Sequence, residues 1–245
     1  MSQSHQLYRL YQLLFEKYGP QGWWPIIADK SMHQNAYHPD DYSFPRNRLE
    51  RFEICLGAIL TQNTTFTSVV KALDNLKALD ALSPEGISAL DEASLKQAIR
   101  PAGYFNQKAK YILAFLSFFE ALNGEVPARK SLLDVHGVGE ETADSILLYA
   151  YDQPEFVVDA YTKRILSVLG FIGEKTKYKE VKALMQESLE PFVSEEERVK
   201  VYQEYHALLV AHAKFYYAQK PYGTGCMMKE LLDADTGENK MKKTL

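Results

Sequence analysis

Cysteine is scarce in this sequence: the 245 residues include two, Cys55 and Cys226. Two thiols exclude a framework of several disulfides and a metal site built from four thiolates. Long apolar runs are also missing, and the polar opening MSQSHQLYRL lacks the pattern of a secretory signal peptide. These absences predict a protein without a membrane span, and we expect a cytoplasmic location.

A strong excess of either charge is missing as well. The formal net charge is −4 and charged residues make up 24% of the chain, which is ordinary for a globular protein. This balance disfavours a protein that coats nucleic acid with its whole surface, although a local basic face is compatible with it. A hydrophobic content of 46% in a chain of this length suffices for a substantial core in one or two domains.

The stretch from Ser131 to Arg164 carries the most informative pattern. A short apolar turn ends at Gly137-Val138-Gly139, and glycine takes positive φ angles without steric cost. A second helix is predicted next, with Thr142 and Asp144 outside its apolar stripe. That stripe consists of Ala143, Ile146, Leu147 and Ala150. Two helices joined in this way form a hairpin whose N–H groups suit a phosphate oxygen, although an ordinary αα-turn with a glycine cap is the simpler interpretation of the loop alone.

An aspartate, Asp159, follows the hairpin in the sequence. Residues 156–158 are apolar and predicted to be extended, and they lead into Asp159 at the start of an amphipathic helix. Asp159 can be a helix N-cap, or it can direct a carboxylate toward a ligand. The spacing alone leaves both interpretations open.

Together, HGVGEETAD and VVDAYTKRI resemble the endonuclease III-like superfamily of helix-hairpin-helix DNA glycosylases. The resemblance spans about Trp23 to Tyr217 and implies an all-α, two-lobed fold with the active cleft between the lobes. Residues 1–47 and 152–229 would form one discontinuous lobe, and residues 48–151 a six-helix lobe that ends in the hairpin at 131–151. Residues 230–245 have no apolar period and are predicted to be a disordered tail. The implied partner is double-stranded DNA with a damaged base, bound by a monomer that takes part in base excision repair.

The resemblance assigns roles to the hairpin residues, to Asp159 and to Gln62. Gly137, Val138, Gly139 and Thr142 would bind the DNA backbone, and Asp159 would be the catalytic residue. The loop in LGAILTQNTTF would insert Gln62 into the DNA, where it fills the gap left by an extruded base.

Both tryptophans of the chain stand together in Trp23-Trp24-Pro25. An isolated tryptophan pair is more often a core anchor than an aromatic wall for a planar ligand. The resemblance nevertheless implies that Trp23, Trp24 and Pro25 line a base pocket together with Phe66.

Three differences from the superfamily pattern narrow the function. Bifunctional members place an amine nucleophile where this chain has Glu141, and a carboxylate cannot form a Schiff base, so strand cleavage should be absent. Cys226 alone remains of the cysteine quartet that holds an iron–sulfur cluster in many members, so we expect neither a cluster nor another metal cofactor. His136 replaces the common hairpin proline, and Glu140 adds negative charge beside the phosphate position. The hairpin is also a candidate site for a monovalent cation.

The pattern is most similar to the cluster-free 3-methyladenine DNA glycosylase III type. Trp-Trp-Pro, LTQNTxF, RPxGxxNQKAK and the hairpin glutamate occur together. They imply a monofunctional glycosylase that removes alkylated bases by base flipping and aspartate-assisted hydrolysis. The alternatives are excision of another base, such as a mismatched adenine, thymine or uracil, and a non-catalytic DNA-binding module.

The sequence also predicts the surroundings of three lysines. Lys108 and Lys110, near the start of the helix in NQKAK, are predicted to lie on a solvated face that phosphates can reach. Lys214, in HAKFYY, matches a base-pocket position of the superfamily, where an ammonium would repel a cationic base. We therefore expect that Lys214 pairs with a carboxylate or carries a modification such as a carbamate. The alternative is an exposed lysine that touches a phosphate.

Overall fold

The computed structural model describes residues 2–27 and 37–241, with side chains through residue 234. Within these ranges the secondary structure is helical and includes no strand, which confirms the all-α prediction. The α-helices are α1 (Gln3–Tyr18), α2 (Arg48–Leu60), α3 (Phe66–Ala78), α4 (Pro84–Ala89), α5 (Glu92–Ile99), α6 (Phe105–Ala121), α7 (Arg129–Leu133), α8 (Glu140–Ala150), α9 (Ala160–Val168), α10 (Tyr178–Leu189), α11 (Arg198–Tyr216) and α12 (Met228–Met241). A 3-10 turn, Arg100–Ala102, precedes α6. None of these described helices combines the length and apolar character needed to cross a membrane.

The chain contacts define two compact units, Met1–Gln21 with Phe156–Leu245, and Gly22–Glu155. The sequence predicts that residues 22–47 belong with the terminal segments, whereas the contacts of the described residues 22–27 and 37–47 place them in the Gly22–Glu155 unit. The reason is the tryptophan pair: the ring of Trp24 packs against Tyr149 of α8 and against the backbone of α2 at Gly57. These contacts bind the segment to the helices that follow it.

In the Gly22–Glu155 unit the core surrounds α2. Every residue from Phe52 to Leu60 is buried, as expected for a helix without a polar stripe. Helices α6 and α8 pack against α2, and α3 packs against α5. The unit holds seven of the described α-helices rather than six, because Arg129–Leu133 forms a separate short helix before the hairpin loop.

In the other unit, α1 packs against α10, α11 and α12, and α9 packs against α11. The tail prediction is wrong for residues 230–241, which continue α12. Met228 and Leu232 of this helix are both buried, and their spacing of four residues places them on one face. A two-residue apolar stripe was too short to be recognised as a periodic pattern. Residues 242–245 lie outside the described residues.

Candidate functional site

The hairpin loop between α7 and α8 requires glycine at one position and leaves space at another. Gly137 has φ +89°, and a Cβ atom added there would lie 2.1 Å from the ring of Tyr111 on α6. Gly139 has φ −92° and is the N-cap residue of α8, and an added Cβ would meet nothing within 4 Å. Positive φ therefore explains Gly137, whereas Gly139 keeps the approach to the helix N-terminus open.

The first backbone N–H groups of α8 have no side-chain cap. Val138 and Thr142 are buried, and Gly139 provides no side-chain cap for the first N–H groups of the helix. Uncapped amides at a helix N-terminus attract anions, so this turn is suited to a phosphate oxygen. The exposed Glu140 and Glu141 lie in the same turn, and their negative charge opposes a second anion.

A partly buried ion pair fixes the two hairpin helices to each other. The Arg129 guanidinium on α7 donates two hydrogen bonds to the Asp144 carboxylate on α8, at 2.7 and 3.1 Å. Asp144 is fully buried, although the sequence interpretation placed it outside the buried stripe of α8. The one available signal was an aspartate surrounded by apolar residues in a helix, where it needs a partner.

The Gln62 loop lies against the hairpin. Its side-chain amide donates a hydrogen bond of 2.9 Å to the Gly137 carbonyl. Asn63, the next residue, has a left-handed backbone with φ 53°. The structure therefore brings together the gap-filling candidate and the phosphate-binding candidate within one unit.

Five aromatic rings form a cluster in the same unit, including Tyr37, whose ring lies 6.2 Å from that of Trp23. The rings of Trp23 and Phe66 lie 5.9 Å apart at 31°, and both side chains are partly exposed. Trp24 is 4% exposed and meets Phe66 edge-on at 5.9 Å, and Pro25 is buried beside it in the chain. Tyr149 of α8 completes the cluster, 5.3 Å from Trp24, and sequence reasoning did not identify it.

The buried Trp24 is held at both its ring and its backbone. A Cβ atom at Gly57 would lie 2.8 Å from the indole nitrogen, so only glycine lets the ring lie this close to α2. The His38 imidazole lies 2.9 Å from the Trp24 carbonyl oxygen. Trp24 therefore forms the fixed back of the cluster, while Trp23 and Phe66 form its accessible part.

Asp159 is the N-cap of α9. Its Oδ1 accepts the Thr162 N–H at 2.7 Å, and its Oδ2 lies 4.0 Å from Nε2 of His206 on α11. The Asp159 side chain is 15% exposed, so the carboxylate is largely desolvated and still accessible. Burial lowers the pKa of His206, and the charge of Asp159 opposes that shift. Asp159 is therefore an N-cap residue, as one of the two interpretations predicted. Only its Oδ1 takes part in the cap.

The family follows from comparison with known proteins. Residues 56–191 match the model described as HhH-GPD superfamily base excision DNA repair protein. The chain belongs to this superfamily. A Methanocaldococcus jannaschii protein named as a DNA repair glycosylase is 39% identical over 235 residues, which cover 91% of this chain and 94% of that one. Endonuclease III of Sulfolobus acidocaldarius is 32% identical over 186 residues, covering 73% and 80% of the two chains.

Solved structures agree with this assignment. The 3-methyladenine DNA glycosylase of Helicobacter pylori bound to 1,N6-ethenoadenine is 27% identical with a TM-score of 0.66, covering 88% of this chain and 98% of that one. A non-covalent endonuclease III–DNA complex is 22% identical with a TM-score of 0.69, covering 99% and 100%, and supports the fold. The predicted resemblance and fold class are confirmed. The chain is a DNA repair glycosylase of the HhH-GPD superfamily, and DNA is its partner.

The residues of this HhH-GPD chain do not fit an iron–sulfur cluster. Cys226 has its sulfur 3.2 Å from Nε2 of His212 and 3.5 Å from the hydroxyl of Tyr217, while Cys55 is buried in α2. Burial and the charge of Lys17 lower the pKa of His212 to about 4. In the described part of the chain, no three His, Cys, Asp or Glu side chains are grouped to hold a metal ion.

The lysines differ from their predicted surroundings. Lys110 is exposed, but Lys108 is 1% exposed, so the predicted solvated position of Lys108 is wrong. Its ammonium donates to the carbonyls of Leu60 and Ala102 instead. Lys214 is exposed on α11, and no carboxylate among the described residues forms an ion pair with it.

Proposed function

We propose that this HhH-GPD glycosylase removes alkylated bases of the 3-methyladenine type from double-stranded DNA and leaves the abasic strand uncut. The aromatic cluster carries the proposal. Trp23 and Phe66 offer two partly exposed rings, and the buried Trp24 and Tyr149 pack against them. Rigid rings with accessible faces suit a planar base taken out of the duplex.

The chemistry of an N3-alkylated purine agrees with this set of residues. Such a base is positively charged and has a weakened glycosidic bond, so its departure needs no general acid. Aromatic faces attract a cation through their quadrupole, which favours the alkylated base over a neutral one. Trp23 and Phe66 therefore contribute selectivity as well as stacking energy.

Asp159 would stabilise the sugar as the base leaves. The sugar acquires positive charge in the transition state, and an ionised carboxylate placed beforehand lowers the energy of that charge. One oxygen of Asp159 accepts the Thr162 N–H, which fixes the orientation of the carboxylate, and the other takes no part in the cap. The same carboxylate can orient the attacking water.

The hairpin residue Glu141 supports hydrolysis without strand cleavage. Cleavage through a Schiff base needs an amine, and Glu141 is an exposed carboxylate. Lys108 has a lowered pKa, but its ammonium is buried against two carbonyls and cannot reach a sugar. The proposal involves no iron–sulfur cluster, because Cys226 lacks the other three cysteines.

The proposal is tested by incubating the purified protein with a methylated duplex and identifying the released bases by mass spectrometry. We expect free 3-methyladenine and an intact abasic strand. Duplexes containing uracil, or adenine and thymine mismatches, provide the comparison. Release from those duplexes alone would contradict the alkylated-base assignment, and binding without any release would support the non-catalytic alternative.

A second assay addresses strand cleavage. Borohydride should trap no covalent complex between the protein and an abasic duplex, because Glu141 supplies no amine. The variant Glu141→Lys serves as the matched control, since it places an amine at the position used by bifunctional members. A trapped wild-type complex would contradict the monofunctional mechanism.

A further inference from the structure

Lys108 has no part in the proposed chemistry, yet its surroundings are unusual. The side chain is 1% exposed, and its Nζ donates to the Leu60 carbonyl at 2.8 Å and to the Ala102 carbonyl at 2.7 Å. Burying an ammonium is unfavourable, and burial lowers the pKa of Lys108 to about 8. Because an apolar side chain would fill the same space without this unfavourable free energy, the ammonium group of Lys108 must contribute something other than packing.

The first contact of Lys108 lies at the base of the Gln62 loop. Leu60 is the last residue of α2, where carbonyl groups have no partner within the helix. A positive charge is also favourable at a helix C-terminus. Lys108 therefore fixes the point at which the chain leaves α2, two residues before Gln62.

The helix that carries Lys108 also supports the hairpin. Tyr111 lies three residues further along α6, on the same side of the helix, and its ring lies directly against Gly137. Gln62 in turn donates its amide hydrogen to the Gly137 carbonyl. One face of α6 thus holds both the Gln62 loop and the phosphate-binding loop, and a hydrogen bond links the two loops.

We infer that Lys108 is a positioning residue that sets how far Gln62 enters the duplex relative to the hairpin. The inference rests on the proposed base-flipping function. A gap-filling side chain must reach a fixed depth from the backbone contacts, and a shift of about 1 Å in such a group is costly. The anchor at the Leu60 carbonyl provides that fixed origin.

The test separates base opening from DNA binding. Opening is measured as the fluorescence rise of 2-aminopurine in a duplex, because this base brightens when it leaves the stack, and no excision is needed. Affinity for the same duplex is measured by fluorescence anisotropy. The variants are Lys108→Met, which keeps the apolar stem and removes the donor, and Gln62→Ala as the reference for lost gap filling. Lys96→Met is the matched control, since Lys96 pairs with Glu92 on the solvent side of α5.

We expect Lys108→Met and Gln62→Ala to reduce the opening equilibrium by about tenfold while duplex affinity changes by less than about twofold, because phosphate contacts supply the affinity. Lys96→Met should behave as wild type. If Lys108→Met does not fold, Lys108→Gln keeps an N–H donor and should show a smaller loss of the same kind.

Wild-type opening by Lys108→Met would overturn the inference, as would a parallel loss of opening and affinity. Wild-type opening by Gln62→Ala would overturn it as well, because no gap filling would then exist to be positioned. A wild-type protein that opens the duplex but releases no methylated base would contradict the proposed substrate and leave the role of Lys108 supported.

Discussion

Asp159 combines a structural and a proposed chemical role in one side chain. Its Oδ1 caps α9 through the Thr162 N–H, and its Oδ2 faces the buried His206. Asparagine caps helices about as well as aspartate, because its side-chain oxygen accepts the same hydrogen bond. The substitution Asp159→Asn therefore removes the charge and keeps the cap.

We expect Asp159→Asn to lower the single-turnover rate of base release by about a hundredfold or more, while damaged-DNA affinity and melting temperature stay near wild type. Asp159→Ala should add a loss of stability of about 1 kcal/mol, since it also removes the cap. Wild-type turnover in the asparagine variant would show that Asp159 is a helix cap alone.

Lys108 also predicts a pH dependence of stability. Its pKa is about 8 in the folded protein and near 10.5 when exposed in the unfolded chain. Between these values the unfolded chain binds more protons, so the contribution of this residue to stability rises with pH. The unfolding free energy of wild type minus that of Lys108→Met should increase from pH 8 to pH 10, by at most about 1.4 kcal/mol per pH unit. Urea titrations of both proteins at pH 8 and pH 10 measure this difference. An equal difference at the two pH values would contradict the buried charge.

Lys214 is exposed and lacks a carboxylate partner in the described structure, so pairing does not neutralise its charge. A modified amine remains the proposal for a role with cationic bases. Lys214→Ala should then reduce release of 3-methyladenine by about tenfold, and mass spectrometry of the wild-type protein should show an added carbamate mass. Unchanged activity would assign Lys214 to the phosphate-contacting surface.

At the scale of elements, the hairpin depends on two glycines for different reasons. Gly137→Ala forces a Cβ into the Tyr111 ring at a left-handed φ, whereas a Cβ at Gly139 meets open space. We expect Gly137→Ala to lower the melting temperature by several degrees and to weaken DNA binding. Gly139→Ala should lower the melting temperature less, because its Cβ meets no clash and only the N-cap preference is lost. It should weaken DNA binding, because the methyl group stands where a phosphate would approach. Equal effects of the two substitutions on stability would contradict this distinction.

The helices α6 and α8 each serve two purposes. Helix α8 begins with the uncapped amides of the hairpin and ends near Tyr149, which supports the tryptophan pair. Helix α6 carries Lys108 and Tyr111. The binding loops are therefore placed by buried helices, which hold them more rigidly than the loops could hold themselves.

At the scale of the whole molecule, the charge distribution agrees with a repair enzyme rather than a DNA-coating protein. The net charge is −4, and the candidate phosphate site is made of backbone N–H groups with two glutamates beside it. Backbone contacts hold DNA without reading its sequence, which suits a protein that must examine any site.

The fold class, the hairpin and the position of Asp159 were predicted from local sequence patterns. The patterns used are local: helical periodicity, the Gly-Val-Gly break and the spacing to the aspartate. Such patterns can be recognised without knowing which residues pack against them. The motif Trp-Trp-Pro and the residue Gln62 were identified from the resemblance, which is also a property of the sequence.

The burial of polar groups and the identity of their partners depend on the tertiary fold. Lys108, Asp144 and His206 look like surface residues in the sequence, because their partners come from other elements. Lys108 donates to the carbonyls of Leu60 and Ala102. Asp144 accepts from Arg129, and His206 lies beside Asp159. Tyr149 joined the aromatic cluster in the same way. The burial of a polar side chain depends on contacts between residues far apart in the chain, so the local apolar period does not reveal it.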